Sequence, residues 1–365
     1  MRRLRAISTS LAAALMAAPA LAALMAAPAL AAPDPAVFAA GKPPKSLAAL
    51  GLFEDAASQT PAGGVLPYDL ATPLFTDYAE KFRFVFVPDG EAATYTDHEA
   101  FGFPVGSALV KTFAYPADFR AADENVRLIE TRILAHTERG WRAWPYIWTA
   151  DGTDAVLTPL GGKMELAWID ANGEAVSTRY LVPNMNQCKS CHVKGLGRGR
   201  EMTPIGAEAK HLNRDYPYAD GVENQLVRWT KAGILAGAPA DPDEAPRVAR
   251  WDDAAASLDA RARAYLDINC AHCHTPDGPA HTSGLYLDTR ADDPAQWGVY
   301  KRPVAAGRGS GGFDFSIVPG DPDHSILHYR MMSADPGVMM PELGRTLVHD
   351  EGVALIRDWI ASLED

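Results

Sequence analysis

The sequence predicts an α+β protein in which a β-rich N-terminal region is followed by mainly α-helical regions. Three observations support this fold class. Short alternating apolar runs, broken by turn residues, fill residues 66–183. Helical periodicity appears beyond residue 220, and the four cysteines form two tight pairs in the second half of the chain.

The chain opens with a segment typical of export. MRRLR is positively charged, and the alanine-rich run behind it holds two small-residue cleavage sites, at 20–22 and 29–31. We predict that residues 1–31 are a Sec signal peptide that directs the protein to the periplasm. Pro19 and Pro28 disfavour a spanning helix, and no other segment approaches the roughly 18 apolar residues that a span needs. No membrane insertion is therefore expected after cleavage.

Residues 32–183 are the predicted β-rich region. FRFVFVPDG (82–90) alternates and then turns, VRLIETRILAH reads as a further strand, and ELAWIDANGEAVSTRYLVP carries Asn-Gly between two apolar runs, which predicts a hairpin. Four tryptophans are expected in the core: Trp141, Trp144, Trp148 and Trp168. His98 and His136 stand alone, and no catalytic residues are predicted in this region or elsewhere.

Each cysteine pair has two residues between its members and a histidine directly after the second cysteine. The positions are Cys188, Cys191, Cys270 and Cys273. CKSCH and CAHCH match CxxCH, in which two sulfurs bond to a haem and the following histidine ligates the iron. The pattern predicts two covalently attached haem c groups, with His192 and His274 as iron ligands. His272 lies between the two sulfurs of its own motif and cannot reach the same iron.

Two other uses of paired cysteines compete with haem attachment. Two CxxC pairs can form a tetrahedral zinc site, and a CxxC can act as a redox dithiol. Neither explains why a histidine follows both pairs, so haem is the favoured interpretation. The net charge of −12 argues against binding nucleic acid and fits a carrier whose partner presents basic patches.

The haem motifs divide the second half of the chain. We predict a first haem-binding segment over 184–249, which follows a strand and contains the helix VENQLVRWTKAGIL and a linker. We predict a second, cytochrome c-like domain over 250–365. There SLDARARAYLDIN forms a helix that leads into Cys270, and HDEGVALIRDWIASLED forms a terminal helix that packs against it.

Residues 255–365 resemble class I cytochrome c domains. The runs YLDINCAHCH, SGLYLD, VPGDPDHSILHYRM and MMPELGR resemble cytochrome modules appended to some bacterial quinoprotein dehydrogenases. With YDLATPLFTDYAEKFRF, NQCKSCH and PIGAEAKHLNRD, the whole mature chain is similar to a family of exported diheme c-type cytochromes. The resemblance implies two haems and a periplasmic location.

The sixth ligand of each iron separates a carrier from an enzyme. Met340 is the candidate for the second haem, because it lies on a Pro- and Gly-containing loop before the last helix, and cytochrome c domains place their methionine ligand in such a loop. Met339 is the alternative. Met331 and Met332 lie on the predicted helix SILHYRMM and are expected to pack.

The first haem has a weaker set of candidates. Met202, ten residues beyond His192 and near a proline, is the predicted ligand, with Met185 and His211 as alternatives. An iron with an open sixth position is the other alternative at this site.

Electron transfer between periplasmic redox partners is the predicted function. The partner would be a redox protein, with a periplasmic dehydrogenase as the candidate. The alternative is a diheme peroxidase-like oxidoreductase with an open first haem, but no acid–base pair is evident beside the first motif.

Overall fold

The computed structural model describes residues 32–364, which belong to one compact unit. The predicted signal peptide, residues 1–31, lies outside the described residues. The divisions at residues 183 and 249 stay predictions. No helix within residues 32–364 combines the length and the apolar character needed to cross a bilayer.

The strands are short apart from those of the central sheet. They are β1 (Phe53–Asp55), β2 (Thr60–Pro61), β3 (Val65–Tyr68), β4 (Glu80–Phe86), β5 (Ala93–Thr94), β6 (Ala108–Tyr115), β7 (Arg127–Thr137), β8 (Gly140–Trp148), β9 (Ala155–Leu157), β10 (Gly162–Ile169), β11 (Ala175–Val182), β12 (Val193–Lys194), β13 (Glu201–Met202), β14 (Asp215–Tyr218), β15 (Gly221–Asn224) and β16 (Leu235–Ala236). The helices are α1 (Pro35–Ala40), α2 (Met185–His192), α3 (Ala209–Leu212), α4 (Gln225–Lys231), α5 (Leu258–Leu266), α6 (Pro294–Trp297), α7 (Ile326–Met332) and α8 (Asp350–Ser362).

A six-stranded antiparallel sheet, in the order β3-β4-β6-β7-β8-β9, forms the centre of the N-terminal region. The predicted strand FRFVFV is β4, VRLIETRILAH falls in β7, and the predicted Asn-Gly hairpin is formed by β10 and β11. All four predicted core tryptophans are buried. Strands therefore predominate between residues 53 and 182.

Both faces of this sheet are covered, because residues along each strand alternate between two separate clusters. One face packs beneath the first CxxCH segment, and its cluster includes Val85, Leu109, Leu134, Ala143 and Cys188. The other face packs against α1 and the first loops, and its cluster includes Phe38, Phe84, Val110, Ile133 and Trp144. The first haem motif thus lies on a buried sheet face.

A further core lies near the C-terminus, where α5, α7 and α8 meet. Tyr265 and Leu266 of α5 pack with Leu327 of α7 and with Ile356 and Trp359 of α8. The predicted helix before Cys270 and the predicted terminal helix therefore exist and share a core.

The prediction that the haem-binding regions are mainly α-helical is wrong, although the α+β class fits. The structure is 26% helix and 26% strand. Beyond residue 184, α8 is the longest described helix at 13 residues, and five short strands, β12 to β16, occur among the helices. Prolines and glycines interrupt residues 275–325, where only short helical turns form, because proline removes a backbone donor and glycine costs helix stability.

The N-terminal region also holds the loop that precedes α8. The Asp77 carboxylate accepts hydrogen bonds from the Thr346 backbone N–H at 2.6 Å, the Thr346 hydroxyl at 2.8 Å and the Leu347 N–H at 2.8 Å. Phe75 stacks on the His349 ring, with 4.3 Å between the ring centroids. Residues 75–77 therefore fix the start of the terminal helix.

Candidate functional site

The first CxxCH segment is a single capped helix, α2. Asn184 accepts a hydrogen bond from the Gln187 N–H at 2.9 Å, and the Gln187 side chain accepts one from the Asn184 N–H at 2.9 Å. This reciprocal pair is a capping box, which explains why a helix begins so soon after β11 ends. The sequence places the motif directly after a strand, and the structure adds a helix that carries the motif itself. Cys188 is buried, and Cys191 is partly exposed.

His192 is held in one orientation by the strand that follows it. Its Nδ1 lies 2.9 Å from the Thr203 carbonyl oxygen, and its own carbonyl accepts from the Thr203 N–H at 2.7 Å. A carbonyl can only accept, so Nδ1 carries the proton and Nε2 keeps its lone pair. Burial lowers the pKa of His192 to about 3, so the ring is neutral at pH 7. A neutral imidazole with a free Nε2 is the form that ligates iron.

The second motif follows α5 through a π-helical turn over Asp267–Ala271. Nδ1 of His274 lies 3.3 Å from the Ser283 hydroxyl, which itself donates to the Ala280 carbonyl at 2.7 Å. That hydroxyl must therefore accept from His274, which again leaves the Nε2 lone pair free. Burial lowers the pKa of His274 to about 4. The two predicted proximal histidines share one tautomer.

The two motifs lie next to each other. The Gly195 N–H, three residues after His192, donates to the Asp277 carbonyl, three residues after His274, at 2.9 Å. Burial raises the pKa of Cys273 to about 12, and the second largest cause of this rise is the charge that Cys191 would carry as a thiolate. These two cysteines belong to different motifs and are far apart in the sequence, so the fold brings them together.

The environment of the four thiols bears on the two competing uses of paired cysteines. All four cysteines are free within the described residues. Burial raises the pKa of Cys188 and of Cys191, and it raises the pKa of Cys270 to about 12. A redox dithiol works through a thiolate with a lowered pKa. Within residues 32–364, no three His, Cys, Asp or Glu side chains are grouped to hold a metal ion, whereas a structural zinc site needs four ligands.

The loop that carries Met340 lies beside the second motif. The Met340 N–H donates to the Arg330 carbonyl at 3.1 Å, and its carbonyl accepts from Arg345 at 2.9 Å. Burial raises the pKa of Cys270, and the positive charge of Arg345 lowers it. The loop with Arg345 therefore lies beside the second motif. Met340 is partly exposed and Met339 is buried.

The predicted packing methionines differ from each other. Met331 is buried in the C-terminal core, as expected, whereas Met332 is 47% exposed and does not pack there.

Met202 lies on the strand beside His192. In the β12–β13 pair it stands opposite Val193, and its side chain packs in the cluster that contains Cys188. Thr203, the next residue, supplies the carbonyl that holds His192. Met202 is therefore close to the first motif, on the strand that supports the proximal histidine. Its role as ligand stays a prediction.

Sequence reasoning missed a row of cations on the sheet face beneath α2. Arg83, Lys111 and Arg132 stand directly opposite one another on β4, β6 and β7. Lys81, two residues before Arg83, shares their face. Like charges in directly opposite positions destabilise a sheet. Such a row therefore needs an explanation.

Two of these four cations lack a carboxylate. Arg132 is paired with Glu130, and Arg83 is paired with Asp69. Lys81 donates only to a backbone carbonyl, and Lys111 has no carboxylate partner among the described residues, with its ammonium 5.1 Å from the centre of the Phe113 ring. Burial lowers the pKa of Lys81 to about 7 and lowers that of Lys111 well below its usual range.

Lys111, one of the two lysines without a carboxylate, lies close to the first motif. Lys111 contributes, after burial, to the lowered pKa of His192. A haem carries two propionates, and Lys111, the unpaired lysine near this motif, would balance one of them. Thiols, a neutral imidazole and nearby cations together fit a covalently attached haem at this position. The signal in the sequence was the alternation of basic residues within strands, which becomes informative only once the strand register is known.

In comparisons with known proteins, no protein-family model, curated protein or solved structure matches this chain.

Proposed function

We propose that this chain is an exported diheme c-type cytochrome that transfers electrons between redox partners in the periplasm. One observation carries the proposal: two CxxCH segments, each with a neutral histidine whose Nδ1 is already engaged, are joined by the hydrogen bond between Gly195 and Asp277. Adjacent motifs favour electron exchange between the two groups.

The chain's own residues have definable roles in this proposal. Each haem iron would supply a one-electron couple. Cys188, Cys191, Cys270 and Cys273 would tether the two groups. Thr203 and Ser283 keep the proton of each proximal histidine on Nδ1, which holds the ring orientation and leaves Nε2 for the iron. Met340 would complete the second site.

The peroxidase-like alternative requires an accessible iron and an acid–base group. Turnover of hydrogen peroxide by the purified, reduced protein separates the two functions. A carrier reduces peroxide no faster than a control cytochrome with two ligands on each iron, whereas sustained peroxide consumption would support the enzyme.

Haem content tests the cofactor directly. The wild-type chain, expressed with a haem-attachment system, should carry two haems that remain bound in acidified organic solvent. Replacing Cys270 and Cys273 with alanine should remove one haem, and replacing Cys188 and Cys191 should remove the other. Absorbance of the pyridine complex and intact mass measure both. Extraction of the haem from the denatured wild type contradicts the proposal.

The charge of the chain bears on its partner. A net charge of −12 favours a partner with basic patches, and a periplasmic dehydrogenase is the proposed donor. Electron transfer should slow as the salt concentration rises, because screening weakens the encounter. A rate that is independent of salt argues against charge-guided docking.

A further inference from the structure

Two of the three residues considered for the sixth position of the first haem have other contacts, and the third belongs to the strand that supports His192. Met202 lies on the strand next to Thr203, which supports His192. His211 is buried, and its Nε2 lies 3.0 Å from an Asp267 carboxylate oxygen. Met185 packs against the cluster on the opposite sheet face. His211 and Met185 are therefore set aside, and a residue of the second motif competes with Met202 for this position.

His272 is placed to supply it. Ile268, four residues earlier, packs in the same cluster as Cys188. The backbone from Asp267 to His272 is helical, so residues four apart share a face. That face lies on the side of the cluster that contains Cys188, so His272 is placed towards the first motif. The hydrogen bond between Gly195 and Asp277 holds the two segments together just beyond this point.

The chemistry of the His272 ring agrees with this placement. Its Nδ1 is buried and finds no hydrogen-bond partner in the part of the chain that the structure describes. A buried ring nitrogen without a protein partner points to a partner outside the chain.

We propose that His272 is the second axial ligand of the haem attached at Cys188 and Cys191. This inference rests on the proposed diheme function. It gives the middle histidine of CAHCH a role at the other motif. The first iron would then have two imidazoles, and the second an imidazole and a thioether. Methionine ligation raises the potential, so the first haem would be the lower-potential centre.

Spectroscopy of the loaded protein tests this assignment. The oxidised wild type should give one bis-histidine and one histidine–methionine signature by electron paramagnetic resonance and near-infrared magnetic circular dichroism. His272→Ala should make one haem high-spin, leave the methionine signature unchanged, and regain a low-spin signal with added imidazole. His272→Met should keep both haems low-spin and raise the potential of the first. His281→Ala, in the same segment, is the matched control and should change nothing.

Several results would overturn the inference. One is a wild type with no bis-histidine haem, and another is a His272→Ala variant that keeps both low-spin signatures. A high-spin first haem in Met202→Leu or Lys111→Met, but not in His272→Ala, would assign the ligand to that residue. A wild type that binds no haem would instead refute the proposed function, so the two failures are distinguishable by the haem count.

Discussion

Asp267 connects the first haem segment to the helix that leads into the second motif. One carboxylate oxygen accepts from Lys210 at 2.7 Å and from the Thr289 N–H at 3.0 Å, and the other lies 3.0 Å from His211. The side chains of Asp267, Lys210 and His211 are at most 8% exposed. Breaking a buried ion pair leaves an uncompensated charge and costs about 3–5 kcal/mol.

We expect Asp267→Asn to lower the free energy of unfolding by about 3 kcal/mol, near the lower end of that range. Lys210 keeps two other carboxylates in this variant, Glu208 at 3.2 Å and Asp288 at 3.5 Å. Lys210→Met should cost more, about 5 kcal/mol, because three carboxylates then converge without their cation.

Urea unfolding of the loaded protein, followed by circular dichroism, measures these changes. Asp314→Asn is the matched control, since the Arg302–Asp314 pair at 3.0 Å is more than 70% exposed on both sides and should contribute less than about 1 kcal/mol. If Asp267→Asn costs no more than Asp314→Asn, the buried network does not stabilise the fold as argued.

The same residue predicts an acid dependence. Burial alone would raise the pKa of Asp267, but His211 and Lys210 outweigh burial and hold it below the ordinary value of 3.8. Its contribution is therefore complete above pH 3.8 and is lost as the pH falls through the lowered folded value. Asp267→Asn should remove this part of the acid sensitivity.

Two further predictions concern the haems. Met340→Ala should turn the second haem high-spin and lower its potential, because a thioether ligand favours reduced iron. Met339→Ala should leave the spectrum unchanged. The opposite result would assign the ligand to Met339. Lys111→Met should lower the potential of the first haem by tens of millivolts, on the order of 1 kcal/mol, because the propionates of a bound haem would keep the Lys111 amine protonated and this variant removes that charge. Redox titration measures both, and an unchanged first potential would place Lys111 away from that haem.

The features that could be predicted from the sequence are those that depend on residues close together along the chain. The alternation of FRFVFV and the Asn-Gly turn depend on local geometry. The strand β4 and the β10–β11 hairpin form where they were expected. The haem motifs are likewise local. The second half is less helical than predicted, because its Pro- and Gly-rich connections form turns and short strands between the helices.

The row of Arg83, Lys111 and Arg132 could not be predicted in this way. Their alignment depends on the register of three strands, and a shift by one residue would send a side chain to the other face. The placement of His272 depends on how the turn before Cys270 packs, and Ile268 of that turn lies in the cluster of the first motif. Neither property is visible in a single segment of sequence.

The three hydrogen bonds accepted by Asp77 have a consequence for how this chain could be divided. A fragment that begins at residue 250 would lose the acceptor for Thr346 and Leu347, and with it the anchor between the Met340 loop and α8. The segment from residue 250 onwards therefore depends on Asp77 of the N-terminal region for this contact. A gene fusion that borrowed only this segment would need a substitute carboxylate from its new neighbour.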